Sequence, residues 1–126
     1  MKNTWIFVWS LALSLPAFAT TPLQLQRQYE SQSGAASAQR GQQFFTTTQG
    51  KTWSCSTCHG AVPTGMGEHA ETQKRIKPLA PQVNPKRFSD EAKVDKWFKR
   101  NCDDVLGREC TPQQKADVIA WLLTLK

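Results

Sequence analysis

Residues 55 to 59 read Cys55-Ser56-Thr57-Cys58-His59, a C-x-x-C-H run, and nothing else in the chain constrains its fold as strongly. Two thiols at that spacing can each add to a vinyl group of one porphyrin. The imidazole that follows then falls under the iron as an axial ligand. Cys55 and Cys58 are thus expected to attach one covalent haem c, with His59 as its proximal ligand. A C-x-x-C pair can also hold zinc or work as a dithiol. The histidine placed directly after the pair, and the lack of a second C-x-x-C, weigh against both.

The N-terminus bears on the compartment. Lys2 supplies a positive charge, Trp5 to Leu15 is an apolar run, and Pro16-Ala17-Phe18-Ala19 ends in small residues. This reads as an export signal over residues 1–19, cut after Ala19, with residues 20–126 forming one domain. The run is shorter than the roughly 20 apolar residues of a spanning helix, and no span is expected in the mature chain. Export across the inner membrane implies a periplasmic protein in an oxidising compartment. The two cysteines left over, Cys102 and Cys110, then read as a disulfide, worth about 2.5 kcal/mol in the chain-entropy model. A small core suits a domain of this length, and a porphyrin enlarges it.

The chain carries a net charge of +6. The excess lies between Lys51 and Arg100, where ten basic residues meet five acidic ones. A basic face near a haem edge can steer an acidic redox partner, and a solvated surface would look the same. Aromatic–basic interleaving is absent, so nucleic acid is not an expected partner.

The hydrophobic pattern predicts an all-α domain of several short helices. Thr21-Pro22-Leu23-Gln24 and Thr111-Pro112-Gln113-Gln114 each place a capping threonine, a proline at the first helical position and a glutamine that completes a capping box. The first starts a short helix to about Ser31. The second starts a helix whose stripe is Val118, Ile119, Trp121, Leu122 and Leu125. A helix from about Ala35 to Thr47 should pack on that stripe through Gly41 and Phe45. From Gly60 to Ser89, glycines and prolines predict loops that wrap the haem, with one helical turn near Glu71–Ile76 and Ile76, Leu79, Val83 and Phe88 inward. Ser89 caps a helix ending near Arg100, with Val94, Trp97, Phe98 and Asn101 on one face.

The residue across the iron from His59 decides between a strong sixth site, which suits an electron carrier, and a weak or open one, which suits small-molecule binding. Met66 lies only seven residues past His59, too near to pass the porphyrin edge. His69 can reach, but it sits in the polar stretch Gly67-Glu68-His69-Ala70-Glu71. No pattern selects a lysine. Helix geometry selects Asn101, although an asparagine there can equally be a buried amide bonded to backbone.

Gly41-x-x-x-Phe45, the haem motif followed by Gly60, and a last helix with Val118 and Trp121 resemble a class I c-type cytochrome. A denser likeness runs from Val94-Asp95-Lys96-Trp97-Phe98-Lys99-Arg100-Asn101-Cys102 through Cys110-Thr111-Pro112 to Ala120-Trp121-Leu122. With Pro78-Leu79-Ala80-Pro81 and Asn84-Pro85-Lys86-Arg87-Phe88, it resembles the sphaeroides haem protein family, high-spin oxygen-binding c-type cytochromes with an asparagine on the iron. The resemblance implies His59 as proximal ligand, Asn101 as sixth ligand, a Cys102–Cys110 disulfide beside it, and electron donors that include a dihaem c-type and a membrane b-type cytochrome. The stretch from Val62 to Gln73 matches less well. A hard amide oxygen suits ferric iron and should leave on reduction, opening a site for O2, NO or CO, with Trp97 and Phe98 keeping the pocket apolar. Arg100 either meets a propionate or faces solvent. A conventional electron carrier, or a small haem enzyme reducing peroxide, oxygen or nitric oxide, remains open at this point, and no catalytic residues can be named.

Overall fold

The computed structural model describes residues 1–2, 13–14, 16 and 18–126; the expected export signal falls largely outside them. Among the described residues no helix is long and apolar enough to cross a membrane. The helices are α1 (Pro22–Glu30), α2 (Ala38–Thr46), α3 (Cys55–His59), α4 (Glu91–Leu106) and α5 (Pro112–Leu122), with a minimal hairpin β1 (Gly67–Glu68) and β2 (Arg75–Ile76) between α3 and α4.

The two predicted capping boxes form. Gln24 N–H donates to Thr21 Oγ1 at 3.1 Å while Gln24 Oε1 accepts from Thr21 N–H at 3.0 Å. Thr111 and Gln114 do the same at 3.2 and 2.9 Å. These bonds satisfy backbone donors that a helix start leaves orphaned. They fix where α1 and α5 begin, and α5 then packs against both α1 and α2. Leu25, Phe45, Ile119 and Leu122 are essentially fully buried between them, each worth about 1.5–3 kcal/mol of transfer free energy. Phe45 and Trp121 meet with ring centroids 5.0 Å apart.

The α2–α5 crossing depends on Gly41, as expected. A Cβ there would overlap the Asp117 carbonyl, so no other residue lets the two backbones approach this closely. Beside the crossing, the buried Asp117 carboxylate accepts from Ser37 N–H (2.7 Å), Gln113 Nε2 (3.1 Å) and Arg40 Nε and Nη2 (2.8 and 2.9 Å). Burial alone would push its pKa up. The Arg40, Ser37 and Gln113 hydrogen bonds outweigh that and hold it below the usual carboxylate range.

Helix α4 is attached differently. It approaches the α1/α2/α5 layer less closely and is tied by side chains. Tyr29 Oη donates to Asp95 at 2.8 Å, Gln28 to Glu91 at 2.6 Å, and Lys51 Nζ to the Asp103 carbonyl at 3.2 Å. A Cys102–Cys110 disulfide joins α4 to the segment before α5. Phe98 lies between Tyr29 (6.2 Å) and Phe88 (6.4 Å).

Four expectations need correction. The stretch Glu71–Ile76 is the turn and second strand of the hairpin, because the chain reverses at Gln73 (φ +58°) and Glu68 pairs with Arg75. Val83 is exposed. The cap of α4 is Asp90, which accepts from Lys93 N–H at 3.0 Å, while Ser89 Oγ bonds back to Lys86. Finally, α4 runs on to Leu106 and ends at Gly107. The basic pair Lys99–Arg100 is therefore mid-helix, and Asn101 is an interior position.

Candidate functional site

Helix α3 is a single short turn set by Ser54, whose N–H donates to Thr57 Oγ1 at 3.0 Å. One turn brings Cys55, Cys58 and His59 to neighbouring positions. Both cysteines are free thiols, half-buried, while the other two cysteines are bridged to each other. Burial pushes the Cys55 thiol up to about 11, so it stays protonated near neutrality. His59 lies against Phe45, ring centroids 6.0 Å apart. Burial, and then the positive charge of Arg87, push its pKa down to about 4. The imidazole is therefore neutral near pH 7, the form a metal ion requires.

The hairpin is stitched to this turn. A Cβ on Gly67 would overlap the Cys58 carbonyl, so β1 lies directly on the motif, and Ala70 N–H points at Cys58 Sγ, 3.3 Å away. The next segment is tied in as well, since Leu79 and Ala80 N–H both donate to the Pro63 carbonyl at 3.0 and 3.1 Å. These contacts report on two of the possible sixth ligands. Met66 precedes Gly67, beside the backbone of α3 itself, and its side chain is exposed. His69 Nδ1 accepts from Glu71 and Thr72 N–H at 3.3 and 3.2 Å, and its ring sits edge-on to Trp53 at 6.1 Å. Its role is to hold the hairpin turn.

Asn101 shares the inward face of α4 with Val94, Phe98 and Val105. It is half-buried, and among the described residues its carboxamide makes no hydrogen bond. An interior helical asparagine normally bonds locally. Asn101, next to the disulfide at Cys102, departs from that pattern. Trp97, one turn earlier, is 44 % exposed. Its ring faces Arg100 at 5.6 Å and Lys96 at 6.0 Å, so Arg100 covers an indole and, among the described residues, pairs with no carboxylate.

This donor set fits a haem. It offers two free thiols at C-x-x-C spacing, a neutral imidazole and an unengaged amide, and among the described residues no cluster of three metal-binding side chains forms that would suit zinc. Half-buried Leu79, Cys55 and Phe98 flank the core as apolar surface for a large plate to cover. Sequence reasoning missed Arg87, which is half-buried beside His59; the signal for it was the isolated basic pair Lys86-Arg87 before a buried aromatic.

Comparisons with known proteins identify relatives of the whole fold. A family described as a domain of unknown function (DUF1924) matches residues 31–122. The cytochrome c-type protein SHP of Cereibacter sphaeroides is 50 % identical, over 94 % of this chain and 97 % of that protein. Cytochrome c'' of Methylophilus methylotrophus is 48 % identical over 64 % of this chain and 56 % of that protein. Among solved structures, oxidized SHP, described as an oxygen-binding cytochrome c, superposes with a TM-score of 0.78 at 47 % identity, covering 84 % of this chain and 98 % of the other. Oxidized cytochrome c'' gives 0.72 at 39 % identity, covering 83 % and 94 %.

Proposed function

The chain belongs to the sphaeroides haem protein family of c-type cytochromes, and from that premise we propose that it is an exported monohaem cytochrome whose sixth ligand lets go on reduction. When bound, the haem c of this family supplies an iron that cycles between ferric and ferrous states and takes a diatomic ligand when ferrous. Cys55 and Cys58 would hold the porphyrin covalently. His59 would supply a permanent nitrogen ligand. Asn101 would supply the second bond. Its amide oxygen is a hard, neutral, weak donor, which favours the harder ferric ion and releases the softer ferrous one. Phe98, on the inward face beside Asn101, would limit the access of water to that side, whereas Trp97 is exposed and takes no part, and the Cys102–Cys110 bridge would confine the movement of the Asn101 helix.

One observation carries this reading: a half-buried carboxamide in the middle of α4 that bonds to nothing else. In support, Met66 is exposed beside the hairpin and His69 accepts through Nδ1 from the backbone of the hairpin turn. Residues 1–19 act as the export signal and residues 20–126 as the periplasmic domain. SHP is described as an oxygen-binding cytochrome c, so O2 and similar diatomics are the expected ligands here. Redox partners of acidic surface, a dihaem c-type and a membrane b-type cytochrome in the family resemblance, supply the electrons.

The test is the optical spectrum of the purified holoprotein in both oxidation states, with and without CO. A reduced protein that binds CO at once and changes spin state supports the reading. A six-coordinate low-spin ferrous spectrum indifferent to CO rejects it. Asn101→Met should give a low-spin protein in both states; an unaltered spin state in that variant would clear Asn101 of any part.

A further inference from the structure

We propose that Arg87 binds a propionate of the haem and thereby anchors the carboxylate edge of the cofactor beside His59. The guanidinium is fixed before any ligand arrives. Its Nε donates to the Pro78 carbonyl at 3.0 Å and its Nη2 to the Lys77 carbonyl at 2.8 Å. Asn84 Nδ2 steadies the same Pro78 carbonyl at 3.1 Å. Two of the five N–H donors of the arginine fork are spent on the backbone, and three remain.

The group is half-buried, and among the described residues no Asp or Glu pairs with it; the ion pairs are Arg40–Asp117, Arg75–Glu68 and Lys99–Glu109. A cation drawn partly out of water without a counter-charge is costly. The missing counter-charge should therefore come from a ligand.

Its position says which ligand. Pro78 leads into Leu79 and Ala80, both bonded to Pro63 just beyond the haem motif, so Arg87 is laced to the His59 turn by backbone. The neighbouring Phe88 is buried and held at a φ of +58°, a conformation costly for an aromatic residue. That turn sends the Phe88 ring into the core while Arg87 folds back over Lys77 and Pro78. The haem c of this family carries carboxylates on one edge only, and a rigid fork with free donors matches a carboxylate better than an ammonium would. Arg100, the alternative on α4, is occupied with Trp97. The proposal rests on the haem and not on Asn101, so a different sixth ligand would leave it standing.

A fixed positive charge at the porphyrin edge favours the reduced, less positive iron. Arg87→Gln holoprotein should have a lower midpoint potential, by up to about a tenfold change in the reduction equilibrium, 59 mV for one electron. Its propionate bending band in resonance Raman should move. Arg87→Lys keeps the charge and loses the fork, so the potential should hold and the band should still move. Arg100→Gln should leave the band in place. An unmoved band in Arg87→Gln overturns the proposal, whether or not the potential changes. If Arg87→Gln yields no holoprotein, the Arg87→Lys band decides: moved supports, unmoved overturns.

Discussion

The two sides of the molecule are built on different principles. On one side, α5 packs on α1 and α2 with backbones close enough to demand Gly41, and the contact is continuous, an apolar core with the Asp117–Arg40 network at its edge. On the other, α4 is held by discrete ties: the Tyr29–Asp95 bond, the Lys51–Asp103 contact and the disulfide at Cys102. The first side supports Phe45, against which His59 rests. The second carries Asn101. On the proposed function, the ligand that stays and the ligand that leaves therefore belong to differently fastened parts. A continuous core moves as a block, whereas α4, with Val94 in the core and Phe98 packed against it, has less packing to rearrange when it shifts.

The harshest way to break this contrast is Gly41→Ala. A methyl group there would collide with the Asp117 backbone, and backbone cannot step aside as a flexible side chain can. The expected loss is about 3 kcal/mol or more, at the upper end of overpacking costs, with the His59 environment disturbed as well. Thermal unfolding of the holoprotein, followed in the Soret band, measures it. A loss below about 1 kcal/mol would mean that the close crossing is not what holds this side together.

Opening the disulfide acts on the other side. The double variant Cys102→Ser, Cys110→Ser should lose about 2.5 kcal/mol through the denatured chain, less than Gly41→Ala, yet change ligand exchange more. With the tie next to Asn101 gone, the ferric protein should exchange its sixth ligand faster, measured as the rate of azide or imidazole binding. Unchanged exchange with lowered stability would show that the bridge serves the fold alone.

Much of this contrast is legible in the sequence. The capping boxes announce α1 and α5, and Gly41 with Phe45 announces their partner, because caps and helical periodicity are local signals. The haem motif is likewise local. The end of α4 was misjudged because Lys99–Arg100 imitates a helix terminus, while the real stop is Gly107. The hairpin was missed because its ladder is only two residue pairs, and its turn rests on His69 Nδ1 accepting from backbone, which no periodicity reveals. Arg87 and the unengaged state of Asn101 are facts about what surrounds a side chain. Both wait on the tertiary structure, whereas the resemblance at Asn101-Cys102 had already pointed to the second.

The smallest effect tests the contrast most finely. Tyr29 belongs to the continuous core by its ring and to the α4 ties by its hydroxyl, so Tyr29→Phe cuts one tie and leaves the packing. The bond ends on a carboxylate at the surface, which water can re-solvate, so about 1 kcal/mol should be lost. Burial, and then Asp95, raise the Tyr29 pKa well above its ordinary value. A raised pKa stabilises fully below the unfolded tyrosine pKa, about 10, and the contribution fades as pH rises beyond it. The stability gap between parent and variant should therefore be constant from pH 6 to 9 and narrow at pH 11. If α4 is held as discrete ties suggest, ferric ligand exchange should also quicken in Tyr29→Phe, though less than in the disulfide variant. A variant that loses stability while its exchange rate matches the parent would place Tyr29 wholly with the core and leave the bridge as the tie that matters.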